Sequence, residues 1–260
     1  MLLALLLAAQ AAASAPAALL PAVAAERAFA ARAQADGQWT AFRATAAPDA
    51  IMLAPGPVNA HEALRGFSSD PAVAVMWWPA RVWTSCDDTL AVTTGPWVRN
   101  GGTKVGTFTN VWRREADGQW RWVYGNGREI PRAIEAPDAP LVVRAICPDD
   151  RKADQVSEEQ GTWLQRDGRM PGEWGLPLEP IPRAPAVASG RSADGTLRWE
   201  VHHRPEQGAN AYIFQVIQTR ASGSRTVPQA VGSPAPMGTA EQLVVAEAHG
   251  FASGEPARTP

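Results

Sequence analysis

The chain has 260 residues, 45% of them hydrophobic and 19% charged, and a formal net charge of −2. That is enough apolar material for one or two packed domains. No run of Lys or Arg occurs, which argues against nucleic acid and anionic membrane surfaces as partners.

In chain order, the first 25 residues carry no charge. The apolar run MLLALLLAAQAAASA ends in Ala13-Ser14-Ala15, the small-residue pattern of an export-signal cleavage site, although no basic residue follows Met1. Pro16 and Pro21 argue against one continuous spanning helix. Residues 1–21 are therefore read as an export signal, with a membrane anchor or an Ala-rich leader as alternatives, and the mature chain is expected to be exported, in the periplasm, without an integral span.

Residues 22–46 read as a helix on the apolar positions Ala25, Phe29, Ala33, Trp39 and Phe42, bent at Gly37 and ended by Pro48. AIMLAP (50–55) reads as a short strand and NAHEALRG (59–66) as a short capped helix. AVMWWPARVWTS (74–85) reads as a strand interrupted near Pro79, and DTLAVTTGPWVRN (88–100) as another. Gly101-Gly102 turns the chain into KVGTFTNVWRRE (104–115), and Asp117-Gly118 turns that into QWRWVYG (119–125), a strong hairpin signal. The order predicts an α+β unit over residues 22–132, with helices on one face of an antiparallel meander.

Residues 133–220 read as an extension, with one strand in APLVVRAICP (139–148) and a hairpin made by DGTLRWEVHH (194–203) and AYIFQVIQTR (211–220). Ser, Gly, Pro and Ala dominate residues 221–260, which predicts a disordered tail. No internal repeat is evident. The two cysteines, Cys86 and Cys147, form an even pair that suggests a disulfide in an exported chain. No Cys or His spacing completes a metal site, and no cofactor is expected.

The stretch GTFTNVWRREADGQWRWVYGNG (106–127) concentrates aromatic residues around one turn. Strand alternation puts Phe108, Asn110 and Trp112 on one face and, across the hairpin, Trp120, Trp122 and Tyr124 on one face too. Such a stripe is either core or the wall of a pocket for a flat organic molecule. Asn110 and Tyr124 carry polar ends that need partners if buried, which a pocket would supply.

ERAFAARAQADGQWTAFRATAAPDAIMLAP, LAVTTGPWV, GTFTNVWRR and DGQWRWVYGNG together resemble the SnoaL-like branch of the nuclear transport factor 2-like superfamily, and within it exported bacterial members, over residues 24–130. The resemblance implies a cone: a strongly bent antiparallel sheet closed by a long N-terminal helix and short helices, its mouth a pocket. It also implies dimerisation through the outer sheet face in many members. The superfamily spans isomerases, dehydratases, cyclases and proteins without catalysis, so fold alone does not select among them.

Enzymes of that superfamily place a carboxylate or His inside the cone as base. Many relatives end the last strand with His where this chain has Tyr124-Gly125-Asn126. The candidates here are His61 as base and Tyr124 as donor, though a lone surface His is the commoner situation. Asp49, Asp87 and Asp88 read as turn or loop residues, Glu62 as a first-turn carboxylate, and His202 and His203 as facing opposite ways. Nucleophile-elbow, zinc-protease and nucleotide-loop motifs are absent from the sequence. The leading expectation is a protein that binds a small, mostly hydrophobic molecule through Trp97, Asn110, Trp112, Trp122 and Tyr124. The alternatives are an isomerase, dehydratase or cyclase, and a dimeric interaction module with a solid aromatic core.

Overall fold

The helical stretch breaks once, at Gly37, giving α1 (Pro21–Asp36) and α2 (Gln38–Thr45). Gly37 has φ 101°, and a Cβ there would lie 2.3 Å from an Asp70 carboxylate oxygen. Only glycine fits such a position. Asp70 needs the closeness: its carboxylate accepts the N–H groups of Trp39 and Thr40 and the Thr40 hydroxyl. It thereby caps α2 from a distance, in place of the side chain that Gly37 lacks. The helix ends at Thr45, and Pro48 lies inside the next strand, so Pro48 is not what stops it.

The computed structural model describes residues 20–135, 139–145, 147, 185–203, 205, 212–220 and 223–231. Residues 1–19 of the export-signal reading, with its cleavage pattern, fall outside them, while Pro21 opens α1. After the helices come β1 (Ala46–Leu53), β2 (Pro57–Asn59), α3 (Ala60–Leu64), β3 (Met76–Trp77), β4 (Arg81–Thr84), β5 (Leu90–Arg99), β6 (Lys104–Arg114), β7 (Trp120–Glu129) and β8 (Leu141–Arg144). These strands form one open sheet in the order β2-β1-β7-β6-β5-β4-β8, with β3 also on β5. The sheet is mixed: β1 runs parallel to β7 and β8 parallel to β4, while the central strands are antiparallel. The expected fully antiparallel sheet is corrected at both flanks, because those strands return by long connections rather than hairpins.

β3 and β4 are one interrupted strand, broken where Trp78 crosses β5. A Cβ at Gly95 would lie 1.8 Å from the Trp78 carbonyl oxygen, so the bare glycine lets the two backbones meet.

The C-terminal strands β9 (Ala188–Arg191), β10 (Leu197–His203), β11 (Tyr212–Arg220) and β12 (Gly223–Val231) form a second, antiparallel sheet in the order β12-β11-β10-β9. The expected hairpin is β10–β11. Residues 223–231, expected in the disordered tail, instead pair along β11; the open edge of β11 supplies the backbone partners that composition could not reveal. This sheet lies on the face of the large sheet opposite the helices. Tyr124 stacks on Phe214 at 5.1 Å and tilts against Trp199 at 5.2 Å. A short sequence recurrence links the two sheets: Ser85-Cys86-Asp87-Asp88-Thr89-Leu90 is echoed by Ser192-Ala193-Asp194-Gly195-Thr196-Leu197. Cys86 and Cys147 are disulfide-bonded.

Candidate functional site

The helices cover the inner face of the large sheet with Ala22, Val23, Phe29 and Ala33 from α1 and Trp39, Ala41 and Phe42 from α2. Phe29 meets Phe42 and Trp77, both at 4.9 Å between ring centroids, and Trp112 at 5.9 Å. One residue of the buried stripe is charged. Glu26 is 0% exposed and points from α1 into this aromatic layer.

The Glu26 carboxyl group is surrounded by donors from three strands. Oε1 accepts Trp77 Nε1–H at 2.6 Å and Asn110 Nδ2–H at 2.9 Å. Oε2 accepts Trp112 Nε1–H at 2.6 Å and the Thr93 hydroxyl at 2.5 Å. Thr93 and Asn110 are directly opposed on β5 and β6, and Trp112 lies one inward step along β6. Strand alternation therefore brings three of the donors onto the same face. Enclosure away from water pushes the Glu26 pKa up; the bonds from Thr93, Trp77, Trp112 and Asn110 pull it back only in part.

Of the residues expected to line a site, Asn110 and Trp112 meet on Glu26. Trp122 lies directly across from Trp112 and is 2% exposed. Trp97 is 1% exposed, and its Nε1–H donates to the Thr107 carbonyl at 3.1 Å. Tyr124 is elsewhere. The β6–β7 pairing shifts between Val111 and Trp112, so Trp122 faces Trp112 whereas Tyr124 faces Val111. That bulge turns Tyr124 to the outer face, against the second sheet, and corrects the expectation that Trp122 and Tyr124 share a face.

His61 sits on α3 with its ring Nε2 3.2 Å from the Ala47 carbonyl, a bond it makes as an N–H donor. Asn59 caps that helix by accepting the His61 and Glu62 N–H groups. Asp49 lies in β1, not in a turn, and makes a two-pronged bond to Arg113 at 2.8 and 2.9 Å. Those Arg113 bonds hold its carboxyl below the usual range. Glu62 is exposed beside Arg65. His202 is buried against Glu200 at 3.0 Å, and His203 tilts on Tyr212.

Glu26 is not among the candidates named from the sequence. Its signal was available: Ala22, Glu26, Phe29 and Ala33 recur at helical spacing, so the acid stands on the buried stripe. Among the described residues no group of His, Cys, Asp and Glu is placed to hold a metal ion, and no helix is long and apolar enough to cross a membrane. No protein-family model matches the chain, and no curated protein matches it.

Proposed function

We propose that this is an exported, disulfide-tied interaction module: a bent, cone-like sheet with a closed aromatic interior that associates with a second copy of itself through the β3 segment. The observation that carries the reading is a contrast in exposure. Trp97, Asn110, Trp112, Trp122 and Tyr124 are 0–2% exposed, whereas Val73, Met76 and Trp78 are 69%, 41% and 42% exposed. Large apolar side chains grouped on a surface favour a protein partner. The outer sheet face, which the family resemblance offered for dimerisation, is covered here by the chain's own second sheet, so self-association needs another surface. Disulfide bonding supports export.

Sedimentation velocity over a range of concentrations tests this. The expected result is a reversible dimer that Trp78→Ser weakens by roughly tenfold or more. A monomer at all concentrations, or a dimer indifferent to Trp78→Ser and Met76→Ser, overturns it.

One observation favours a second reading, in which a small, mostly hydrophobic molecule enters between the helices and the sheet: Glu26, an acid of raised pKa enclosed by aromatic rings and N–H donors, is a polar centre of the kind such sites use. Native mass spectrometry of protein purified from its own host decides this case. A bound adduct released on denaturation and lost in Glu26→Gln supports it; a clean apo mass counts against it.

A further inference from the structure

The turn joining β4 to β5 and the turn joining β9 to β10 have the same sequence pattern, Ser-x-Asp-x-Thr-Leu, and the same conformation. Asp88 and Gly195, at matching positions, both take positive φ, 53° and 72°. In each turn the serine hydroxyl donates to the aspartate, Ser85 to Asp87 and Ser192 to Asp194, both at 2.6 Å. In each, the same serine oxygen accepts the leucine N–H at 3.1 Å. Each aspartate folds its turn through Oδ1 and reaches across the gap with Oδ2, which in Asp194 also accepts the Thr196 hydroxyl.

The two turns bind each other reciprocally. Asp87 N–H donates to Asp194 Oδ2 at 3.0 Å, and Asp194 N–H donates to Asp87 Oδ2 at 2.8 Å. Cys86 N–H donates to Thr196 Oγ1 at 2.9 Å, and Ala193 N–H donates to Thr89 Oγ1 at 3.0 Å. Every bond has its counterpart under exchange of the two turns. Such a contact is self-complementary, the local form of a two-fold interface.

The disulfide enters this contact directly, because Cys86 is one of its donors. Arg144 Nη2 donates to the Cys86 carbonyl at 2.9 Å and to Asp88 Oδ2 at 3.0 Å. Gln218 Nε2, from the second sheet, donates to the Val143 carbonyl at 3.0 Å and the Thr84 carbonyl at 3.3 Å, bridging the adjacent ends of β8 and β4. The Cys86–Cys147 bond holds those two ends together.

We propose that the paired turns are a clasp that keeps the four-stranded sheet on the outer face as a separable cover, and that the Cys86–Cys147 disulfide sets the clasp. Reduction by an external dithiol transfers two electrons and two protons: the S–S bond breaks, Cys86 and Cys147 become thiols, and the reductant closes to its own disulfide. The end of β8 then loses its covalent tie and is held to the β4 side by its short ladder, the Arg144 bonds and the Gln218 bridge. The two carbonyls shared by Gln218 lose their fixed spacing, and the Cys86 N–H loses its fixed aim at Thr196. The cover loosens and uncovers Tyr124, while the helix-covered face keeps its packing. The clasp does not depend on the dimer proposed above.

Hydrogen exchange of the full chain, read by mass spectrometry peptide by peptide, tests the proposal in the oxidised protein, after dithiothreitol, and in Asp194→Ala. The expected result in the last two is exchange faster by roughly tenfold or more in β10 and β11, with β5 and β6 unchanged. Thr196→Val removes a single clasp hydroxyl and gives the same pattern if Asp194→Ala does not fold. Equal loss of protection in both sheets, or no change in β10 and β11, overturns the proposal. The readout is local, so it separates failure of the clasp from failure of the dimer.

Discussion

Glu26 shows what a single residue settles in this interior. Its four donors are fixed by packing, and two of them, the indole N–H groups of Trp77 and Trp112, cannot turn round to accept. Glu26→Gln therefore points an NH2 group at N–H donors and removes one acceptor oxygen. Buried groups left without partners cost about 1–3 kcal/mol each, so a loss of about 2–4 kcal/mol in urea unfolding is expected. The pH dependence follows from the direction of the shift. Burial raises the folded Glu26 pKa above its ordinary 4.5, so the folded state holds its proton longer than the unfolded one. The resulting stability is fully present below about pH 4.5 and is lost as pH rises through the folded pKa. Subtracting the Glu26→Gln profile from that of the native chain should isolate this falling slope; a flat difference counts against a raised pKa. Asp49 works in the opposite sense. Arg113 lowers its pKa, so its contribution is present above its ordinary 3.8 and disappears as pH falls through the folded value. The pair is partly exposed, which keeps its worth to about 1 kcal/mol or less.

At the scale of elements, two local irregularities decide where side chains go. The break at Gly37 lets α2 swing so that Asp70 caps it, and both the positive φ and the nearby carboxylate forbid a side chain. Gly37→Ala should cost about 2 kcal/mol or more by thermal unfolding, against a gain of up to about 1 kcal/mol had the site been an ordinary helix position. The bulge in β7 sends Tyr124 outward. Tyr124→Ala should then cost about 3–5 kcal/mol, by emptying the space against Trp199 and Phe214. It should speed exchange in the second sheet before it affects the contacts of Glu26. The Asp-Gly turn was legible from its residue types and the two strands from alternation, because both show in the order of neighbouring residues. The bulge was not: one extra residue within an aromatic run leaves the hydrophobic count unchanged and reverses every face beyond it.

For the whole molecule, the disulfide and the second sheet matter most. The bridge joins residues separated by 61 positions, and its loss should destabilise the chain by about 4 kcal/mol on the chain-entropy account. Denaturant unfolding of Cys86→Ser/Cys147→Ser against the oxidised protein measures this. A difference below about 1 kcal/mol would mean that the unfolded chain is already constrained near the bridge. The large sheet is packed on both faces, by α1 and α2 within and by β10 and β11 without. A chain so arranged leaves Trp78 and Met76 on its surface, where the dimer proposed above would form.

The order of the main elements from α1 to β7, the hairpin at Asp117-Gly118, the bend at Gly37 and the pairing of Cys86 with Cys147 came from the sequence alone, whereas β2, β9 and β12 did not. Each rests on short-range chemistry, such as backbone freedom, alternation or the simple count of thiols, that neighbouring residues reveal. The tertiary structure alone decided that Trp77, Thr93, Asn110 and Trp112 converge on Glu26, that Tyr124 belongs to the outer face, and that two similar turns far apart in sequence close on each other. These depend on which strand lies beside which and in what register. Contacts between distant segments set that register, and no local pattern encodes it.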